Sequence, residues 1–464
     1  MIKRLTLSRH SVQRSASRLV VGAALLAALP LPALAAAGAP PGPLESELRQ
    51  PGATELLPFY ASRGYRLLWT TPAGEIDPAA NALVQLIENA SYDSVDPRLF
   101  DRSAMLAAIA GVGASATPAA RARAESVLSR TLVAYVRAMR KVPAAAMDYE
   151  HVSLRPGVPT PADVLRDASQ APSLGEYIAG MQWMHSLYAP LRQALASGQI
   201  ADPGDRERIL ANLQRIRALP AAPRGRYVLV DTAGARLWMY EQGRPVDSMR
   251  VVVGKPDQQT PMMSGYIRHA VLDPYWNVPP DLVKNKLAPN VLKRGVGYLK
   301  TTRYQVLSDW TEQAQVLDPA TVDWKAVAAG SVELRMRQLP SPGNAMGKVK
   351  FEFPNKYGIY LHDTPDKGLM LKDARQFSSG CVRLEDAQRL GRWLFGSPLP
   401  GSSAAAEQKV ELPVIVPVYI TYLTAQPDGG RIALGRDAYD RDITSGVALV
   451  NQGVAADQLE GSAK

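Results

Sequence analysis

A change of hydrophobic periodicity at Arg226 constrains the fold more than any other feature of the chain. Before it, apolar residues recur at helical spacing. After it, they come in short runs separated by turn residues. Residues 79–90 and 119–140 carry the helical pattern most clearly. In the second, Val127, Leu128, Leu132 and Tyr135 share one face. Residues 177–195 and 206–219 read as further helices, and 155–161 (RPGVPTP) as a loop. From Tyr227 the pattern is strand (227–231), turn (231–234), strand (235–240), turn (241–244) and strand (246–253). More strands are expected at 265–272, 348–353, 358–362 and 416–423. The intervening stretch, 284–345, is long, mixed and rich in Lys and Trp. An insertion of that size inside a β domain is commonly a lid. The Gly-rich chain after residue 428 reads as a tail, poorly ordered toward its end. The expected class is α+β: an all-α domain over 44–220, a mostly-β domain over 225–425 and a C-terminal tail over 426–464.

The first residues read as a secretory leader. A basic stretch (Lys3, Arg4, Arg9, Arg14, Arg18) precedes an apolar run over 19–34, and Ala33-Leu34-Ala35 supplies a small-x-small cleavage pattern. Retention as an anchor is the alternative, but Pro30 and Pro32 interrupt a run already short for a span. Residues 1–35 are therefore expected to be removed and 36–43 to be a linker, leaving no membrane span and a periplasmic protein. The chain has 53 Lys and Arg against 43 Asp and Glu, and five of those cations lie in the leader. The mildly basic remainder suits an anionic polymer but lacks the basic, aromatic-laced stripe of a nucleic-acid binder.

Export makes the cysteine count informative. Oxidising compartments favour paired cysteines, yet this chain has one, Cys381, so no internal disulfide can form. Such a cysteine is either an inert core residue or a retained thiol. Its neighbourhood favours the thiol. His362 ends an apolar strand, and Phe377-Ser-Ser-Gly-Cys381-Val-Arg383 follows after one connecting loop. Cys381 is expected at the end of a turn that opens a short helix over 384–394. Backbone N–H groups of such a turn would lower the thiol pKa and hold an oxyanion. Gly380 lets the backbone approach a substrate, and His362 is the best-placed base to take the thiol proton. Taken singly, each residue has a plain reading: His362 as a structural imidazole, Arg383 as a solvated charge.

Together, His362, Ser378, Gly380, Cys381, Val382 and Arg383 resemble the motif of the L,D-transpeptidases, whose catalytic domain is of the YkuD type. Ser379 stands where many members carry a second His, a departure that the longer YcbB-like branch shares. The resemblance extends to 227–261, to 273–280 (DPYWNVPP), to 343–354, to 418–422 and, in the helical part, to 128–139. It implies a mostly-β sheet sandwich with a lid insertion joined to an all-α scaffold domain. The peptidoglycan-binding module that this branch usually inserts has no room between 192 and 206.

The resemblance further implies a carbapenem-sensitive cysteine enzyme of cell-wall biogenesis, with Cys381 and His362 catalytic. It implies that Cys381 attacks the carbonyl after the third residue of a donor tetrapeptide, releases D-Ala and passes the acyl group to an amine of a neighbouring stem. Backbone groups of Ser379 and Gly380 would serve the oxyanion, and the Asp363 carbonyl would orient the imidazole. Tyr360, Trp276, Ser378 and Arg383 are candidates for substrate contact. For Tyr360 and Trp276 a core role is the alternative, and for Arg383 bracing of the turn. A carboxypeptidase using water, or a non-catalytic wall-binding scaffold, are the competing functions. No metal ligand spacing and no phosphate loop occur, so no metal and no cofactor are expected. The expected partners are stem peptides, donor and acceptor, and other cell-wall enzymes.

Overall fold

The computed structural model describes residues 40–113, 115–142, 147–221, 225–401 and 406–442. The leader and the first half of the linker lie outside these residues. Among the described residues no helix is long and apolar enough to cross a membrane.

The helical part is organised by the helix Pro118–Arg140. Thr117 caps it by accepting from the Ala120 N–H, and Pro118 occupies its first turn, where a missing donor costs nothing. Leu128, Leu132, Tyr135, Val136 and Met139 are fully buried on one side, as their spacing requires. Asp93, also fully buried, accepts from Tyr135 Oη at 2.5 Å, Tyr188 Oη at 2.9 Å and Arg192 Nε at 2.9 Å. A buried carboxylate needs such partners, and here they join the long helix to helix Tyr188–Ala196. The stretch expected as one helix over 177–195 is two, Leu174–Ala179 and Tyr188–Ala196. Met181 at φ 44° ends the first, and the turn buries Trp183 against Tyr135 and Tyr177. The last scaffold helix, Pro203–Arg217, starts a turn earlier than its apolar pattern, at the Asp202 cap.

Among the described residues sixteen strands are numbered in chain order. They are β1 (Asp148–Tyr149), β2 (Arg226–Asp231), β3 (Arg236–Glu241), β4 (Arg244–Gly254), β5 (Met263–Leu272), β6 (Trp276–Val278), β7 (Tyr304–Leu307), β8 (Val316–Leu317), β9 (Arg335–Gln338), β10 (Val349–Glu352), β11 (Leu361–His362), β12 (Gln376–Ser378), β13 (Val382–Leu384), β14 (Gln408–Thr421), β15 (Ala425–Asp428) and β16 (Arg431–Leu434). The main sheet runs β1-β5-β10-β11-β13-β4-β3-β2-β14, with β12 on β4, and β14 also pairs with β5. The expected sandwich is thus one sheet that returns on itself around a core of inward residues such as Val228, Val230, Leu237, Val251, Phe351, Leu361 and Val382. The near-continuous apolar run of β2 has a reason. Val228 and Val230 face that core, while Tyr227 and Leu229 pack with Ala218 and Leu219 of the scaffold.

The insertion is a folded unit rather than a loose lid. It leaves β5 at Leu272 and returns at Val349 of β10, two residues that pair with each other. It has its own sheet, β6-β9-β7-β8, and its own core, including Val278, Leu287, Val291, Val306, Trp324 and Met336. Its first strand starts at Trp276, ahead of the expected 284. The end of the C-terminal tail, where poor order was expected, lies outside the described residues, but its first part is folded. β15 and β16 form a hairpin, and the chain to Asp442 is packed, with Tyr439 4% exposed.

Candidate active site

The site forms where β11 and β13 pair in parallel. Leu361 lies opposite Val382, and His362 opposite Arg383. Leu361 and Val382 are core residues, so alternation sends His362 and Arg383 to the other face. Tyr360 and Cys381, one residue back on each side, fall on that same face. The Val382 N–H donates to the Tyr360 carbonyl at 2.9 Å and extends the pairing. Strand spacing and rise put the Cα atoms of His362 and Cys381 about 8 Å apart, within reach of the two side chains.

The turn before Cys381 is fixed by its own polar groups. Ser378, 2% exposed, donates its hydroxyl to the Cys381 carbonyl at 2.6 Å and accepts from the Gly380 N–H at 3.1 Å. The Ser378 carbonyl accepts from the Lys255 N–H, and the Gly380 carbonyl accepts from Thr260 Oγ1 at 2.7 Å. Gly380 has φ +110°, a backbone state closed to L side chains, and a Cβ there would press on Ile359. Two expectations are corrected by this geometry. The Ser378 hydroxyl is consumed in holding the turn and is not free for substrate. The Gly380 N–H is likewise committed, so it is not an oxyanion donor. The N–H groups of exposed Ser379 and of Cys381 have no partner among the described residues.

The expected helix start at Cys381 is also absent. Residues Val382–Leu384 are drawn into β13 by β11 and β4. The helix begins instead at Ala387, capped by Asp386 accepting from the Arg389 N–H. No helix terminus therefore lowers the thiol pKa. Cys381 is half-buried, and its thiol donates to the Gly358 carbonyl at 3.7 Å. Burial pushes its pKa up, against the opposing pull of the Tyr360 N–H and the Arg383 charge. Burial thus favours the neutral thiol at rest.

His362 is 3% exposed. Burial, and then the Arg383 charge, bring its pKa down to about 4, against a hydrogen bond to the Asp363 carbonyl. That bond, from Nδ1 at 2.6 Å, fixes the proton on Nδ1 and leaves Nε2 unprotonated. The Asp363 side chain is not incidental. It accepts from the Lys348 N–H at 3.0 Å and from Lys367 Nζ at 2.7 Å. A Cβ at Gly347 would run into its carboxylate, so Asp363 also pins the returning root of the insertion.

Arg383 Nε has no hydrogen-bond partner among the described residues, and the acidic groups that act on Arg383 are Asp366 and, once ionised, Cys381. Tyr360 is partly buried beside Lys350, whose Nζ lies 5.4 Å from the ring centre. Trp276 sits in the insertion, its ring 6.2 Å from that of Tyr304 and packed on the insertion core. It is not grouped with Cys381 and His362. Among the described residues no three His, Cys, Asp or Glu side chains gather as a metal site.

Residues 225–416 match the model of the L,D-transpeptidase catalytic domain, YkuD, and residues 54–195 match that of the Scaffold domain. A Haemophilus influenzae protein described as "Putative L,D-transpeptidase" is 30% identical over 288 residues. The match takes in 60% of this chain and 57% of that relative's length. An L,D-transpeptidase from Mycobacterium smegmatis aligns over 42% of this chain and 58% of its own, at 11% identity and a TM-score of 0.21. The catalytic domain of the Enterococcus faecium L,D-transpeptidase aligns over 43% of this chain and 98% of its own, at 17% identity and a TM-score of 0.18. The chain thus carries an L,D-transpeptidase catalytic domain of the YkuD type over residues 225–416 and a Scaffold domain over residues 54–195.

Proposed function

We propose that the protein is a periplasmic peptidoglycan L,D-transpeptidase that uses Cys381 as nucleophile and His362 as proton carrier. The observation that carries this reading is the state of the pair. A thiol and an imidazole that burial holds in their neutral forms share one sheet face, and Arg383 stands beside them with its Nε unbonded among the described residues.

In the first half-reaction, Nε2 of His362 takes the thiol proton as Sγ bonds to the carbonyl carbon after the third residue of a donor tetrapeptide. The carbonyl oxygen becomes an oxyanion, received by the N–H groups of Ser379 and Cys381. Collapse breaks the C–N bond, His362 returns the proton to the departing D-Ala amine, and a thioester remains. In the second half-reaction an amine of a neighbouring stem attacks the thioester. His362 takes a proton from that amine, the new amide forms, and the thiolate leaves and is reprotonated. Arg383 would hold a substrate carboxylate through its planar fork, and Tyr360 would line the donor cleft.

The test is product analysis with disaccharide-tetrapeptide. Release of D-Ala with appearance of a cross-linked dimer is the expected result. Tripeptide without dimer would replace the reading by a carboxypeptidase using water. No turnover by the folded protein would leave a wall-binding scaffold.

A further inference from the structure

The residues between β16 and Asp442 connect the scaffold to the nucleophile turn through hydrogen bonds and ion pairs at every step. At the scaffold end, Arg215 of helix Pro203–Arg217 is 5% exposed. It pairs with Asp442 at 2.7 Å and donates to the Arg441 carbonyl at 2.7 Å. Asp442 also accepts from Thr424 Oγ1, which in turn accepts from Asn212 of the same helix. The segment holds its own shape through Asp437. Its carboxylate accepts from Tyr422 Oη at 2.6 Å, from the Arg441 N–H at 2.9 Å and from the Asp442 N–H at 2.8 Å. The rings of Tyr422 and Tyr439 stack at 5.1 Å, and the Arg441 guanidinium lies 4.9 Å from the Tyr439 ring centre.

At the other end the same segment grips the loop 254–260. Tyr439 Oη donates to the Gly254 carbonyl. Arg441 donates to Gln259 Oε1 from Nε at 3.0 Å and from Nη2 at 2.6 Å, and reaches the Thr260 carbonyl at 3.4 Å. Thr260 Oγ1 is the last link. It accepts from the Gly254 N–H at 2.9 Å and donates to the Gly380 carbonyl at 2.7 Å. Gly380 precedes Cys381. A Cβ at Gly254 would collide with the backbone of Gln258 and Thr260, so this loop has no slack in which to absorb a movement.

We propose that the segment 437–442 is a latch by which the scaffold helix holds the nucleophile turn in register, with Arg441 and Tyr439 as positioning residues. This rests on Cys381 being the nucleophile of the proposed reaction. The latch touches neither thiol nor imidazole, so it acts only through the place it gives the turn. A nucleophile displaced by about 1 Å loses on the order of 10²-fold in rate. The scaffold is thereby part of the catalytic apparatus, and anything that binds helix Pro203–Arg217 acts on Cys381.

The test uses the full chain carrying Arg441→Met, Arg441→Lys or Tyr439→Phe. Three quantities are read: the pH profile of Cys381 alkylation by iodoacetamide, kcat and KM for D-Ala release, and the melting temperature. Arg441→Met keeps bulk over the rings but loses the donors to Gln259 and Thr260. It is expected to lower kcat by about 10²-fold with KM within about twofold. The alkylation profile should move toward that of an ordinary thiol as the packing around the sulfur loosens. Arg441→Lys should recover part of the loss. Tyr439→Phe, which removes one hydroxyl and keeps the stack, should shift both readouts the same way by less, and it decides the matter if Arg441→Met does not fold. Folded variants with an unchanged alkylation profile and unchanged kcat overturn the latch. If the unmutated protein alkylates at Cys381 but releases no D-Ala, the transpeptidase reading fails, and the alkylation profiles alone still decide the latch.

Discussion

Replacing Ser378 by Ala tests whether the nucleophile is held by a hydroxyl rather than by a helix start. The substitution removes one oxygen that serves two backbone groups, the Cys381 carbonyl at 2.6 Å and the Gly380 N–H at 3.1 Å. Each buried backbone group left unpaired costs about 1–3 kcal/mol. Half-exposed Cys381 lets water repair part of this, so the loss should be about 2–4 kcal/mol, within the lower half of the two-group range. For a β domain of this size that corresponds to a melting temperature lower by roughly 10 °C. The activity effect is separate. With both anchors gone the turn can drift, and D-Ala release should fall by about 10²-fold. Thermal unfolding followed by circular dichroism reads the first effect, and initial rates on tetrapeptide read the second. Ser378→Ala with a melting temperature within about 1 °C of the parent and an unchanged rate would refute the account of the turn.

Four further outcomes follow from three residues. His362 is neutral down to about pH 4, so the acid limb of kcat/KM should lie near that pH rather than near 6.5. A limb near 6.5 would remove His362 as the base. The same depressed value makes neutral His362 a stabilising feature that is lost as pH falls from 6.5 through 4. The fall from 6.5 to about 4 amounts to about 3 kcal/mol at full protonation, and a His362→Asn variant should show a flatter acid-unfolding curve. Asp93→Ala would strand the buried Arg192 and the hydroxyls of Tyr135 and Tyr188. It should cost about 3–5 kcal/mol in urea unfolding, and a loss under about 1 kcal/mol would show that the cluster is not what holds these helices. Arg383→Met should raise KM about tenfold with little change in melting temperature, since its Nε makes no bond that would be lost. A lower melting temperature with KM unchanged would instead assign Arg383 to bracing the turn.

The parts of the fold legible in the sequence are those set by local periodicity and turn chemistry. Residues 227–253 could be read because Asp231-Thr-Ala-Gly234 and Glu241-Gln-Gly-Arg244 punctuate alternating runs, and the strands β2, β3 and β4 follow them closely. What misled was pairing at a distance. Val382-Arg-Leu384 reads equally as the start of a helix, and β11 and β4 decide for strand by taking its backbone groups. One local signal did exist: Asp386 sits three residues before Arg389 as an N-cap, which places the helix start beyond Cys381. The helix break at Met181 follows from burying Trp183 between two rings, which no one-dimensional pattern carries. The packing of the first part of the tail was not legible, because its Gly content is a local signal, whereas Tyr439 and Arg441 are held by Tyr422, Gln259 and Gly254 from far along the chain. The site itself was legible in kind: a lone thiol, a strand-end imidazole and a Gly turn. Which backbone donors are spent was not, because Ser378 makes the same sequence whether its hydroxyl faces substrate or its own turn.

The central claim is that Cys381 carries the acyl group. Intact mass of the purified protein after exposure to a carbapenem, and separately to disaccharide-tetrapeptide, tests it most directly, with Cys381→Ala beside it. The account predicts an adduct that maps by peptide fragmentation to Cys381, is absent from Cys381→Ala, and forms with loss of D-Ala when the tetrapeptide is the donor. An adduct that persists in Cys381→Ala, or turnover of tetrapeptide by that variant, would contradict it.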